Sequence, residues 1–326
     1  MSEVIGEYYD RLEVRDVDRR RTELFTALPG LIRHAQENAP TLAVHLGDID
    51  PDTVTTPAAL ADLPVLRKSD LARIQAKEMP FGGLAATPVS RLGRIFASPG
   101  LIFALESTRP DYFRLARALF AAGFRPGDVI HNSFSYHLRA TGAMIEGGAR
   151  ALGCPVVPAG TADPALQAEV MAALAPRGYA GTPSFLATLL REAADAGLTL
   201  HLRRALVSRE ELTRDMREEL LRRHGIQAFQ AYATTELGLI AYETKAHDGL
   251  VIDESVLVEL VEPGTGRPLA PGEVGEVVVT SFNPDYPLIR FATGDLSRLL
   301  PGTSACGRTN ARLAGWMGHA DLPAQA

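Results

Sequence analysis

Glu236 closes a run of two threonines in QAYATTELGLIAYE, Gln230 to Glu243, with Tyr232 just upstream. A carboxylate, hydroxyls and an aromatic ring this close together suit a nucleotide: Glu236 can hold Mg2+, Thr235 can meet a phosphate oxygen and Tyr232 can stack on a base. In YPLIRFATGDLSRLLPGTSACGRTNARL, the triplet Thr293-Gly294-Asp295 reads as a tight turn after a strand over Leu288 to Phe291. A carboxylate there can accept both vicinal hydroxyls of a ribose, and Arg308 adds a donor for ribose or phosphate. A third segment, RIFASPGLIFALES, sets Ser98, Pro99 and Gly100 after a strand. Backbone N–H groups at such a junction can face a phosphate. Each segment has a plainer alternative. Thr235-Glu236 can be a polar turn, Asp295 can cap backbone N–H groups, and Ser98 to Gly100 can be an ordinary turn, since no Gly-Lys-Ser or Gly-Lys-Thr of a Walker loop is present.

The elements that must position these residues are legible in the spacing of apolar positions. Leu24, Phe25, Leu28, Leu31, Ile32 and Ala35 recur at helical intervals, and Pro29-Gly30 predicts a break or kink among them. Thr56-Pro57 pairs an N-cap with a proline at the first helical position, and Ser69 repeats the cap before Asp70 and Leu71. From about Arg94 to Tyr232 short apolar runs alternate with amphipathic helices, the signature of parallel βαβ units. The runs are Ile95 to Ala97, Val129 to Asn132, Val156 to Pro158, Tyr179 to Gly181, Ala205 to Ser208 and Ala228 to Tyr232. The helices include Pro110 to Ala122, Ala165 to Leu174, Ser184 to Ala196 and Thr213 to His224, with Gly123, Gly197 and Gly225 as left-handed C-caps. Beyond Tyr232 the pattern turns to strands joined by Gly- and Pro-rich turns, which predicts an appended antiparallel sheet. The fold class is therefore α/β, parallel βαβ layers followed by an antiparallel β-rich subdomain. Its expected divisions are a helical region over 1–90, a parallel core over 91–233 and a β-rich part over 234–326.

Composition narrows the function. With 46% hydrophobic and 22% charged residues the 326-residue chain can bury a sizeable core. A formal net charge of -6 argues against nucleic acid, yet leaves anionic ligands open, because a site needs local donors and a metal rather than a basic whole. Cys154 and Cys306 form no metal-ligand spacing and no disulfide framework, which points to a reducing cytoplasm. No apolar run approaches the roughly 20 residues that cross a bilayer, and the start lacks a signal-peptide core, so no membrane association is expected.

Taken together, and in this order, the three segments resemble the adenylate-forming superfamily of acyl-CoA synthetases, peptide-synthetase adenylation domains and luciferases. Within it the chain looks most like the phenylacetate-CoA ligase family, through LPGLIRHAQENAP, LPVLRKSDL, FRPGDVIHNSFSYHL, GTPSFL, YATTELG, FATGDLS and CGRTNARL. The resemblance runs from about Tyr9 to Asp321 and implies the large N-terminal domain of such enzymes. It implies a reaction in which a carboxylate joins the α-phosphate of ATP, releasing pyrophosphate, and the acyl group then passes to coenzyme A. Carried onto this sequence, Thr235 and Glu236 are catalytic, with Glu236 on Mg2+ and Thr235 on phosphate. Ser98 and Gly100 serve the phosphates, Tyr232 the adenine of ATP or AMP, and Asp295 with Arg308 the ribose. Tyr136, His137 and the Gly181-Thr182-Pro183 turn line the acyl pocket. The sparse charge around SFSYHL suits an aromatic or apolar acid.

Three departures from the family accompany the resemblance. The phosphate loop is reduced to SPGLIFALES, without the usual wealth of Ser, Thr and Gly or its Lys. Arg209 stands in LVSREELT where small residues precede the family's Glu, which predicts a bulky cation close to the adenine site. After GWMGHAD the chain reads LPAQA, where the family enters a hinge and a small C-terminal domain that supplies a lysine. The sequence thus predicts impaired adenylation by this chain alone and a separate chain carrying that domain as a partner, with a homodimer as the other assembly left open. Two alternatives stand beside the enzyme: a non-catalytic module that binds adenine nucleotide or acyl-adenylate, and an inactive remnant of a ligase.

Overall fold

The computed structural model describes residues 6–98 and 100–320. Two compact units emerge: a central unit, Met1–Asp10 with Arg109–Leu250, and a flanking unit, Arg11–Thr108 with Val251–Ala326. The flanking unit opens with a 3-10 turn at Arg11–Val14, followed by α1 (Val17–Asn38), α2 (Pro40–Leu46), α3 (Pro57–Ala61), β1 (Leu66–Arg67), α4 (Leu71–Lys77), β2 (Leu92–Ser98) and β3 (Ile102–Ser107).

Helix α1 starts where Asp16 accepts the amides of Asp18 and Arg19, and it runs through Pro29 instead of breaking there. Proline costs a helix one hydrogen bond. The buried stripe Phe25, Leu28, Leu31, Ile32 and Ala35 continues on both sides of Pro29 and outweighs that loss. Thr56 caps α3 as its spacing predicts, accepting the Ala59 amide at 3.2 Å. Ser69 does not cap α4: a 3-10 turn over Lys68–Asp70 leads into it, and Asp70 holds the cap position without a side-chain bond. Ile95 to Ala97 is a strand but belongs to no parallel unit. It lies in β2, which pairs antiparallel with β3 as a two-stranded ribbon.

The central unit carries α5 (Leu115–Ala121), β4 (Ile130–Asn132), α6 (Thr141–Leu152), β5 (Val156–Val157), α7 (Pro164–Leu174), β6 (Gly178–Gly181), α8 (Pro183–Asp195), β7 (Arg204–Val207), α9 (Arg214–His224), β8 (Gln227–Thr234) and β9 (Gly238–Glu243). Its strands lie in the order β9-β8-β7-β6-β4-β5. From β5 to β8 all pairings are parallel, and β9 turns back antiparallel on β8. This is the α/β architecture expected. Met171, Tyr179, Leu186, Leu189, Leu202, Ala205 and Val207 form one buried cluster between sheet and helices. Helix α6 escapes a sequence reading because Gly142, Gly147 and Gly148 depress its propensity. Gly148 is there for proximity: a Cβ would lie 2.6 Å from the Ala116 backbone nitrogen of α5. The segment from Pro110 is helical only from Leu115 onward.

The chain re-enters the flanking unit through β10 (Leu250–Ile252), then β11 (Val256–Val261), β12 (Gly275–Ser281), β13 (Phe291–Ser297), β14 (Leu299–Leu300) and β15 (Arg312–Leu313). A four-stranded sheet has the order β1-β13-β12-β11, antiparallel except where β1 joins β13. The expected strand over Leu288 to Phe291 begins only at Phe291, so Thr293-Gly294-Asp295 lies inside β13 rather than in a turn after it. Arg290 explains the irregular approach. Its backbone is left-handed, with φ of 47°. Its buried guanidinium donates to the carbonyl oxygens of Ala61, Leu63 and Gly266 and pairs with Glu259 at 3.1 Å. Among the described residues no helix is long and apolar enough to cross a membrane.

Candidate active site

In the central unit Thr235 and Glu236 sit in the connection between β8 and β9, just past the C-terminal end of a parallel strand. Open α/β sheets bind ligands at that end of their strands. The register closes at Thr234 opposite Gly238, and Thr234 Oγ1 accepts the Leu237 amide at 3.2 Å. Gly238 has φ of 71°, and a Cβ on it would lie 2.9 Å from the Phe113 carbonyl oxygen. The Leu239 amide donates to that same oxygen, while Arg114 Nη2 donates to the carbonyls of Leu237 at 2.7 Å and Leu239 at 2.9 Å. The turn is therefore clamped from the segment ahead of α5. Glu236 is 4% exposed, and Thr235 and Tyr232 are half-buried on the same hairpin. Arg114 and Phe113 went unrecognised in the sequence, because their function is to hold a backbone more than a hundred positions away.

Tyr136 is fixed by its hydroxyl and by its ring. Asn132 Nδ2 donates to Tyr136 Oη at 2.8 Å and to the Gly142 carbonyl at 2.9 Å. The ring lies on Gly142, where a Cβ would come within 2.8 Å of Cδ2. His137 is exposed, its backbone amide donating to Ser135 Oγ at 3.2 Å. Beneath this loop lies a buried polar group of His131, Ser133 and Gln167. Gln167 Nε2 donates to the carbonyls of Gly160 and Ala162, which leaves its Oε1 to accept from His131 Nε2 and Ser133 Oγ, both at 2.9 Å. His131 is therefore the Nε2-protonated tautomer. Burial pushes its pKa below the usual histidine range, with the Gln167 bond opposing the shift in part.

Gly181, Thr182 and Pro183 make the entry to α8. Thr182 caps it, accepting the Phe185 amide at 3.2 Å, and Pro183 takes the first helical position. Gly181 is required by Tyr179, whose hydroxyl folds back to donate to the Thr182 carbonyl and would stand 2.0 Å from a Cβ at 181. Desolvation pushes the Tyr179 pKa up. Glu210 accepts the Ser184 amide at 3.2 Å, so a side chain of the chain's own already occupies this helix N-terminus. Arg209 beside it is exposed, with φ of 73°.

In the flanking unit Ser98 and Gly100 flank the turn of the β2–β3 ribbon, where Ser98 pairs with Ile102 and Gly100 has φ of 82°. Pro99 lies outside the described residues. Gly294, at φ of 82°, sits in a bulge of β13: between the pairs Ala292–Val278 and Leu296–Glu276, β13 carries extra residues that β12 does not match. The bulge re-aims Asp295, whose amide donates to Thr293 Oγ1 at 3.1 Å. The imidazole beside Asp295 is that of His319, with Nδ1 3.1 Å from Oδ1. Arg308 is 4% exposed and pairs at 3.0 Å with the fully buried Glu13. Neither His319 nor Glu13 stood out in the sequence.

Residues 124–283 match the family model described as AMP-binding enzyme. The fold agrees: a crystal structure of 2-hydroxyisobutyryl-CoA ligase in complex with 2-HIB-AMP and CoA superposes with a TM-score of 0.92 at 22% identity, covering 98% of this chain and 80% of that one. Residues 124–283 thus carry the signature of the AMP-binding enzymes. The phenylacetate-coenzyme A ligase of Aromatoleum evansii is 31% identical over 93% of this chain and 72% of its own length, and that of Pseudomonas putida 30% identical over 94% and 72%. The chain belongs to the phenylacetate-coenzyme A ligase family.

Proposed function

We propose that the chain activates an aromatic or apolar carboxylic acid with ATP, as the acyl-adenylate, for transfer to coenzyme A. The observation that carries this reading is the 31% identity to a phenylacetate-coenzyme A ligase over 93% of the chain. In the first half-reaction a carboxylate oxygen attacks the α-phosphorus and pyrophosphate leaves. In the second the thiol sulfur attacks the acyl carbon and AMP leaves. Both partners of the first step are anions, so positioning and charge neutralisation carry the catalysis.

The clamped β8–β9 turn suits that task. Thr235 Oγ1 donates to a phosphate oxygen, and a hairpin that cannot shift costs no reorganisation as charge develops. Glu236 is the residue for Mg2+. Among the described residues no three His, Cys, Asp or Glu side chains cluster as a metal cage. Glu236 would hold the ion as a lone carboxylate, a donor type that suits Mg2+. The ion, when bound, neutralises phosphate charge. Tyr232 serves the adenine, and Ser98 and Gly100 the phosphates. Tyr136, held by Asn132, offers an apolar ring to the acid, with His137 and the Gly181-Thr182-Pro183 turn lining the same pocket. Asp295 accepts the ribose hydroxyls, with Arg308 as a further donor to the ribose.

Calorimetric titration with AMP tests the ribose assignment. Wild type binds, and Asp295→Ala loses at least about tenfold in affinity, as expected for a carboxylate that accepts two hydroxyls. Unchanged affinity in that variant removes the assignment.

A further inference from the structure

We propose that the central unit holds a second binding site, specific for a phosphate group, at the N-terminal edge of its parallel sheet. A pocket of about 470 Å3 there is lined by Gly123, Arg125, Arg204, Gln227, Lys245 and His247, with Phe229 and Ala122 completing it. Its lining contains four basic side chains and no carboxylate. Arg204 and Gln227 are the first residues of adjacent parallel strands and pair in register. Arg125 follows α5, and Lys245 and His247 follow β9, so four separate elements bring their donors to one concavity.

Three observations show that the pocket is organised. Gly123 has φ of 91°, and a Cβ on it would stand 2.8 Å from Arg204 Nε, so the guanidinium lies directly on the bare backbone of the floor. Arg125 Nη1 donates to the carbonyls of Phe120 and Phe124, both at 2.8 Å, and its guanidinium covers the Phe120 ring at 3.7 Å. His247 adopts a left-handed backbone, φ of 48°, and stacks on buried Phe229 with ring centroids 5.2 Å apart. A non-glycine residue held there carries strain that the surrounding contacts must offset.

Carboxylates lie close to three of the basic side chains. Asp128 lies 3.6 Å from Arg204 and accepts the Arg125 amide at 2.9 Å. Glu243 pairs with Arg217 at 2.8 Å and lies 3.2 Å from His247 Nδ1, and Glu7 lies 3.5 Å from Lys245. These carboxylates orient the donors, and none of them lines the pocket. Tetrahedral phosphate oxygens match forked guanidinium donors and an ammonium. The remaining volume accommodates the organic part of a small phosphomonoester.

This site is separate from the candidate active site. β8 runs from Gln227 in the pocket to Thr234 beside Thr235, a length of about 23 Å at the usual strand rise of about 3.3 Å per residue. The proposal does not depend on the adenylation reading.

Equilibrium titration of the full chain with inorganic phosphate and, separately, with ribose 5-phosphate tests it. Saturable binding is expected, weakened about tenfold or more by Arg204→Gln and by Lys245→Gln, the scale of one charge-assisted hydrogen bond, and retained in Thr235→Val. Lys245 is 63% exposed, so its substitution reads the site even if Arg204→Gln disturbs the floor. Tighter binding of ribose 5-phosphate identifies a phosphomonoester as the ligand class, and equal binding identifies free phosphate. Absence of saturable binding, binding indifferent to Lys245→Gln, or binding lost in Thr235→Val overturns the proposal.

Discussion

Replacing Gly238 by alanine separates two effects that the β8–β9 turn combines. An L-residue at φ of 71° costs about 1–2 kcal/mol relative to glycine from backbone sterics alone. The added Cβ also lies 2.9, 3.1 and 3.3 Å from the oxygen, Cα and carbonyl carbon of Phe113. These are backbone atoms, tied by the Leu239 amide and flanked by Arg114, so they cannot rotate away as a side chain would. Overpacking of this kind adds about 1–3 kcal/mol, for a total of about 2–5 kcal/mol. Gly197 supplies the control. It lies in the same unit at φ of 65°, and a Cβ added to it meets nothing within 4 Å, so Gly197→Ala reports the backbone cost alone. Urea unfolding of both variants gives the comparison, with AMP titration as a second readout. Gly238→Ala is expected to lose at least about 1 kcal/mol more than Gly197→Ala and to weaken nucleotide binding. Equal destabilisation of the two variants refutes the clamp by Phe113.

Glu13→Gln removes the carboxylate that pairs with the buried guanidinium of Arg308, and thermal unfolding should show a loss of about 3–5 kcal/mol. Adding Arg308→Met to that variant should recover part of the loss, because the guanidinium that had paired with Glu13 is then gone. Burial lowers the pKa of His131 below its unfolded value of 6.5, so protons bind the unfolded chain preferentially. Its contribution to stability is complete above pH 6.5 and is lost as pH falls from there toward the lowered folded value. Urea unfolding between about pH 7 and 5.5 should show a slope of at most about 1.4 kcal/mol per pH unit from this group, missing in His131→Gln. Asn132→Ala removes the donor to Tyr136 Oη, and titration with phenylacetate in the presence of AMP should show weakened binding of the acid.

Much of the central unit was legible because its signals are local. Helices α7, α8 and α9 fall where their amphipathic spacing indicates, and Gly225 ends α9 at φ of 67°. The apolar runs from Ile130 to Phe229 are parallel strands, joined in sequence by the helices of the same unit. What escaped depends on contacts distant in sequence. The burial of Leu28, Ile32 and Ala35 carries α1 through Pro29, a balance that local propensity cannot weigh. The approach of α5 to Gly148 turns a glycine-rich segment into a packed helix. The bulge at Gly294 depends on pairing with β12, and the two units each draw on separated stretches of chain.

The candidate site divides in the same way. Thr235, Glu236 and Asp295 were singled out by residue type and order, whereas the groups that hold them were not. Arg308 read as a ligand because an arginine after an acidic turn suits ribose. Its partner Glu13 lies almost the length of the chain away, and only the fold brings the two together.

Exchange of labelled pyrophosphate into ATP by this protein tests carboxylate adenylation most directly. Exchange that requires phenylacetate or a related aromatic acid, and that falls sharply in Glu236→Gln, is the predicted result. Exchange that proceeds equally without any acid, or that is unchanged in Glu236→Gln, contradicts it.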